Sequence, residues 1–336
     1  MTKLIAVTGA TGNQGAWIFD ALSLHTSRAP RRSTNSEITI GGSVAKLLLQ
    51  HPEEYRVRAL TRNPDSAAAK QLADLGAEIV RADLTVPSDI PPALKGCWGV
   101  FGVTNFYDTK ITNDPGSEEQ QGKHLAQAAL DAGVQCFVWS TLPSSAKLSD
   151  GKLVSRIYEG KYHVDDYIRE INLPGVFVYT GNFYENLVFR NHVQYNKEQD
   201  ILEFKQPILL PETRLAMLYV EKDLSAVVKA VFDQWDTKQE ALNHKYLYAM
   251  NARVAQREIA ETIEKLSGKK VKHTVLETTG VHDRDIMFHL YNHGYMYRGA
   301  TVPDENVFKL LGVKFHDIED FVREKLLPHL GLKVVS

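Results

Sequence analysis

Three glycines near the N-terminus carry the first chemistry in this sequence. Gly9, Gly12 and Gly15, with Ala10, Thr11, Asn13 and Gln14 between them, follow directly on the apolar run LIAVT at residues 4–8. A glycine turn at the end of a buried strand lets the backbone approach a diphosphate closely, and the helix that follows turns its N-terminal N–H groups toward the same charge. The spacing G-x-x-G-x-x-G is a variant of the dinucleotide fingerprint. An NAD-selective site wants a carboxylate at the end of the second strand for the ribose 2′-hydroxyl. Here LTRNP at 60–64 presents Arg62 instead, and a guanidinium suits a 2′-phosphate. The residues therefore point to NADP(H) as cofactor. Asp83, after the third strand, is placed to meet the adenine amine. Thr104, Asn105 and Phe106, past the fourth, fall where the chain passes the nicotinamide.

The elements that must position these groups are legible as alternation. Runs at 4–8, 55–61, 77–81, 99–103, 136–140 and 176–180 are short, apolar and rich in β-branched or aromatic residues, which predicts buried parallel strands. Helical patterns lie between them at 66–74, 118–132 and 158–170. This order predicts an α/β fold, a Rossmann-type doubly wound parallel sheet with crossover helices on both faces. After residue 182 proline-marked loops and shorter strands take over, with amphipathic helices at 221–232 and 255–267. The expected organisation is an NADP-binding domain over 1–182 and a smaller α+β substrate-side subdomain over 183–336, partly interwoven with the first.

One stretch breaks the arithmetic of the fingerprint. Arg62 stands 47 residues past Gly15, where about 20 are expected. Removing residues 16–41, 26 in all, leaves 21 and joins the glycine turn to a continuous helical pattern that runs into the second strand. Residues 16–41 are therefore read as an insertion, either a retained intron or a genuine loop. The codons of residues 15–17, 34–35 and 40–41 can spell splice donor, branch and acceptor signals. Two segments, 16–23 and 43–50, compete to be the first helix, and 43–50 is favoured because it connects directly to the second strand.

Composition bounds the rest. The 336 residues are 43% hydrophobic and 24% charged, with a formal charge of −2, so no basic footprint for direct nucleic-acid contact exists. Cys97 and Cys136 lie in or beside apolar runs and read as buried thiols rather than a disulfide framework. The first strand begins at once, with no secretory signal, and no apolar run reaches membrane-spanning length. The expected setting is the cytoplasm, with the nucleus added for a regulatory role.

Taken together, the motifs TGATGNQG at 8–15, TRNPDS at 61–66, VTNFYD at 103–108, FVWSTLP at 137–143, YEGKYHVDDYIRE at 158–170 and GNFYENL at 181–187 resemble the NmrA-like family. These are atypical short-chain dehydrogenase/reductases related to isoflavone reductases. The resemblance covers essentially the whole chain except the insertion. It implies NADP contacts from Gly9 to Gln14, from Arg62 with Asn63 and Ser66 in the loop after it, from Asp83 and Leu84, and from Thr104 to Phe106. It adds Lys161 and the run Phe183, Tyr184, Glu185 and Asn186.

Classical members of that superfamily pair a tyrosine general acid with a lysine at Y-x-x-x-K. Lys161 is present here, but Ile157 stands four before it, and Tyr158, three before, is displaced by about 100° around the helix. The dyad is absent. Regulatory members of the family show that pattern, binding the dinucleotide as redox sensors with a protein partner. The favoured expectation is such a regulator. The alternative is an NADPH-dependent reductase of a small carbonyl, enone or quinone in which Lys161 acts alone, as isoflavone-reductase relatives do, with Ser140, Thr141 or Tyr184 polarising the carbonyl. No metal site is expected. His289 and His293 lack the glutamate of a zinc-protease helix, and read as surface or capping residues. Tyr291, Tyr295, Met296 and Tyr297 read as core or lid.

Overall fold

The computed structural model describes residues 2–11, 39–107, 114 and 116–335. Six strands of the first half, β1 (Lys3–Val7), β2 (Tyr55–Thr61), β3 (Glu78–Arg81), β4 (Gly99–Gly102), β5 (Cys136–Thr141) and β6 (Gly175–Thr180), form the sheet that the apolar runs predict. Every residue of β4, β5 and β6 is buried, which is why these runs are continuously apolar rather than alternating. Later strands are β7 (Asn182–Phe183), β8 (Val193–Asn196), β9 (Ile201–Pro207), β10 (Arg214–Leu218), β11 (Tyr246–Ala249), β12 (Ala252–Ala255) and β13 (Lys270–Leu276). The main sheet has seven strands in the order β11-β6-β5-β4-β1-β2-β3, all parallel.

Helices cover both faces. On one, α1 (Ile40–Leu49) packs Val44 and Leu48 with Val7, Val57 and Phe101. On the other, α3 (Gly116–Asp131) and α4 (Arg156–Glu170) bury Leu125, Ala129, Val164 and Ile168 against Val100, Phe137 and Phe177. A short α2 (Ala67–Asp74) joins β2 to β3. Each fully buried Val, Leu or Phe removes enough apolar surface from water to contribute about 1.5–3 kcal/mol. Cys97 and Cys136 are buried free thiols.

The sheet is completed from the far side of residue 183. Helix α5 (Ser225–Leu242) lays Val228, Val231, Phe232 and Trp235 beside α1, and β11 adds the edge next to β6. The remainder builds two three-stranded sheets, β12-β10-β7 and β13-β9-β8, with α6 (Gln256–Ser267) and α7 (His282–Asn292) around a second core. Among the described residues no helix is long and apolar enough to cross a membrane.

The structure corrects one boundary. Helix α1 starts at Ile40, not after residue 41, and Thr39 is its N-cap. The Thr39 Oγ1 accepts from the Gly42 N–H at 2.9 Å and donates to the Gly9 carbonyl at 3.0 Å, tying the helix end to the glycine turn. A Cβ on Gly41 would lie 2.1 Å from the Thr8 carbonyl oxygen. Gly41 therefore supplies the close helix–strand packing that a dinucleotide fold needs at this point. In this chain Thr39, Ile40 and Gly41 therefore form the start of the helix. Gly12, Asn13, Gln14, Gly15 and the competing helix at 16–23 lie outside the described residues.

Candidate functional site

The strand order reverses between β1 and β4, and the site grows from the carboxyl ends of those two strands. Thr8 fastens them: its Oγ1 accepts from the Val103 N–H at 2.7 Å and donates to the Val103 carbonyl at 2.9 Å. Gly9 follows with φ at +63°, and a Cβ there would meet Val103 Cγ1 at 2.8 Å. A side chain at this positive φ would be strained and would also push the Val103 side chain, just past β4, out of place. Thr11 Oγ1 and Thr61 Oγ1 lie 2.5 Å apart, binding the turn to the end of β2.

Two adjoining hollows open at this point. The first is lined by Gly9, Thr11, Thr61, Arg62, Asp83, Leu84, Thr104 and Asn105 with Gln121 from α3. It thus gathers the glycine turn, the guanidinium and the acidic residue that the sequence nominates. The Nε2 of Gln121 is buried and has no hydrogen-bond partner, a signal of a missing acceptor. Asp83 is held by Thr85, which donates to it from backbone and hydroxyl at 3.0 and 2.7 Å. Asn63 and Ser66, nominated with Arg62, do not line the hollow. Asn63 Oδ1 accepts from Asp65 N–H, and Ser66 caps α2 through the Ala69 N–H.

The second hollow shares Val103, Thr104 and Asn105 with the first and runs on past Ile40, the start of α1, toward the C-terminal elements. Its cavity volume is ≈160 Å³. Of the residues nominated from the sequence, Phe106, Ser140, Thr141, Lys161, Phe183, Glu185 and Asn186 line it, together with Tyr107, Ile157, Tyr158, Arg190, His192, Arg284 and Tyr291. Tyr184 is the exception. Its ring is fully buried, stacks on Phe321 at 5.7 Å and bonds to Asn251, so it faces the second core rather than a substrate carbonyl.

Lys161 is anchored. Its Nζ donates to the Thr104 carbonyl and to Thr104 Oγ1, each at 3.0 Å, and lies 3.1 Å from Glu118 Oε1. Thr104 Oγ1 in turn donates to that carboxylate oxygen at 2.8 Å. Glu118 is 1% exposed and its Oε2 has no partner. Thr141 is backed by Asp165, whose carboxyl burial pushes up to about 8 against the hydrogen bonds of Thr141 and Tyr246. Burial likewise raises the Glu185 carboxyl to about 7, although the Glu221 N–H donates to it at 3.0 Å. Tyr158 lines the hollow, but burial drives its phenol well above the ordinary range, so it is a poor acid at neutral pH. Sequence reasoning missed Thr39, Thr61, Glu118, Gln121, Arg190, His192 and Arg284. Thr61 stands in the TRNPDS motif without being singled out, and the others lie in no local motif that announces a role.

Of the aromatic cluster at 291–297, Met296 and Tyr297 are core residues, the latter donating to the Thr180 carbonyl at 2.6 Å, while Tyr291 reaches the hollow. His293 stacks on Tyr295 and bonds to the His289 carbonyl.

A seven-stranded parallel sheet with a glycine turn at its switch point and an adjoining hollow defines a dinucleotide-binding α/β protein of Rossmann type. The sequence model of the NmrA-like family matches residues 34–310, and the chain belongs to that family. An NmrA-like family domain-containing oxidoreductase of Cladobotryum sp is 29% identical over 81% of this chain and 76% of its own length. Another, from Malbranchea aurantiaca, is 26% identical over 90% and 87%. Among solved structures, the negative transcriptional regulator NmrA in complex with NADP superposes with a TM-score of 0.73 at 17% identity, covering 96% of this chain and 95% of that one. The triphenylmethane reductase of Citrobacter sp. complexed with NADP(H) superposes at 0.63 with 19% identity, covering 94% and 97%. At such identities the likeness is one of fold.

Proposed function

We propose that the protein binds NADP(H) across the two hollows and reduces a small carbonyl, enone or quinone-type compound in the second. The observation that carries this reading is that the two hollows adjoin, sharing Val103, Thr104 and Asn105 as lining. A dinucleotide gripped at the glycine turn would end where an apolar, lysine-bearing cleft begins. The residues fit the group: Gly9 leaves room that any Cβ would fill, and Gln121 holds an unspent buried donor. Gly9, Thr11 and the N-terminus of α1 would hold the diphosphate, Arg62 the 2′-phosphate, and Asp83 with Leu84 the adenine edge. When bound, the reduced nicotinamide supplies a hydride.

The chain's own residues would do the rest. A carbonyl oxygen entering beside Lys161 would accept a hydrogen bond from Nζ in place of the Thr104 carbonyl, and Ser140 and Thr141 line the same wall. The ammonium then holds the proton that the reduced oxygen needs. Phe106, Tyr107, Phe189 and Tyr291 keep water from the reacting carbon. The oxidoreductase names of the curated relatives support this reading.

A second reading, a redox-sensing regulator with a protein partner, is favoured by the engagement of Lys161 and by Ile157 in the place of the acid. The absorbance of NADPH, followed with quinones, enones and aldehydes, separates the two. Decline with one substrate class is the result expected. No decline with any of them, joined to unequal affinity for NADP+ and NADPH and capture of a partner, would leave the regulator.

A further inference from the structure

The far wall of the second hollow is cationic, and nothing in the reduction chemistry above uses it. Arg284, on α7, is 4% exposed. Its Nε donates to the Tyr107 hydroxyl at 3.0 Å, and its Nη2 is buried with no hydrogen-bond partner. Arg190 lines the same cleft, its Nε held by Asn186 Oδ1 at 3.1 Å. Both guanidinium groups face the Tyr107 ring, at 4.5 and 6.0 Å from its centroid. Among the described residues no carboxylate lies within ion-pair distance of either. The acidic neighbours of Arg284 along the helix are committed elsewhere: Asp283 takes Arg156 at 2.6 Å, and Asp285 takes Thr278 and Thr279.

Buried cations are ordinarily paired, because taking a charge out of water unpaired is costly. Two like charges brought together at a cleft wall raise that cost further. The strain shows in their neighbours. Burial, and then the charge of Arg284, draws Arg190 down to about 10, and burial with both arginines drives His192 down to about 3. An anion seated between the guanidinium groups would relieve all three. Phe106, Leu142, Phe189, Met287, Phe288 and Tyr291 give the hollow an apolar and aromatic share, and its one lining carboxylate among the described residues, Glu185, is itself pushed up to about 7 by burial. A planar guanidinium fork with a free Nη matches a planar, two-oxygen acceptor.

We infer that the second hollow takes a small aromatic or apolar compound bearing a carboxylate, which Arg284 and Arg190 receive while its reducible group faces Lys161. The inference rests on the reading of this hollow as the substrate side, so its test is binding without turnover.

With the full chain held saturated in NADP+, calorimetric titration compares 2-naphthoate with 2-naphthamide, which has the same shape and no charge. The acid is expected to bind about tenfold or more tighter, since each hydrogen bond to a charged group is worth about 1.5–3 kcal/mol and about 1.4 kcal/mol is tenfold. Arg284→Gln is expected to bring the two within about threefold while NADP+ affinity stays as in the wild type. Arg190→Gln gives the same readout should Arg284→Gln fail to fold. Equal binding of acid and amide by the wild-type protein overturns the inference, as does an undiminished preference in a folded Arg284→Gln protein. A protein that prefers the acid yet oxidises NADPH with no acceptor sinks the reductase reading alone. One that reduces neutral enones and ignores the acid sinks the carboxylate site alone.

Discussion

Lys161, the proton donor of the proposed reduction, is also a structural residue. Its pairing with Glu118 is buried on both sides, so Lys161→Met leaves an uncompensated carboxylate and is expected to cost about 3–5 kcal/mol in denaturant unfolding. Replacing both, as Lys161→Met with Glu118→Gln, is expected to recover most of that loss. Activity lost in the stable double variant then speaks for chemistry rather than collapse. Asp165 yields a pH dependence with a definite sign. Its folded pKa is raised from the ordinary 3.8 to about 8, so the folded protein holds a proton that the unfolded chain gives up earlier. Stability is therefore full below about pH 4 as far as this group is concerned, and is lost as pH rises toward about 8. Thermal melts across that window are expected to fall more steeply for the wild type than for Asp165→Asn; parallel curves would refute this. Gly9, Arg62, Thr104 and Lys161 were legible because each stands at a fixed offset from a strand end or in a helix motif. Arg190 and Arg284 were not, because what marks them is the absence of a carboxylate partner among the described residues, and they lie 94 positions apart in the chain. Tyr184 misled because it sits between two cleft residues, and a short strand turns its ring to the other side.

At the scale of elements, the strands of the first half fell within a residue or two of their apolar runs, most plainly β4, β5 and β6, where burial on both faces leaves little room for polar residues. The first helix was placed correctly in outline but begun too late. Thr39-Ile40-Gly41 stands 26 residues after Asn13-Gln14-Gly15, so either triplet can precede Gly42 in the same register. Pattern alone cannot choose between them; the packing of Gly41 on Thr8 does. Gly41→Ala sets a methyl group against backbone that cannot yield. It is expected to cost about 1–3 kcal/mol of stability and to weaken NADPH binding about tenfold, read by fluorescence titration. Unchanged affinity would show that the helix start does not shape the site. The same register rule makes a paired deletion informative. Chains lacking 16–41 or lacking 13–38 both restore the short spacing, and each is expected to bind NADPH at least as tightly as the full chain. A mature transcript that retains the codons of 16–41 in most copies would remove the intron account and leave a genuine loop.

For the whole molecule, the division at residue 182 describes where the sequence changes character, not where one core ends. α5 and β11 belong to the first core, and the sequence could signal this only weakly. YLYA at 246–249 is an unremarkable four-residue run until β6 lies beside it. A fragment ending at residue 182 is expected to be insoluble or molten, whereas one reaching past β11 retains the complete sheet. Circular dichroism and size-exclusion of the two fragments check this, and a monomeric, cooperatively melting 1–182 fragment would be the contrary result.

Because β11 closes the edge beside β6 only after some 65 further residues have been made, a growing chain must carry that edge unpaired while it leaves the ribosome. Val178 and Phe177 then wait for Leu247 and Tyr246. During that interval the nascent protein has its greatest need of a chaperone, and a pause in translation before residue 250 would lengthen it.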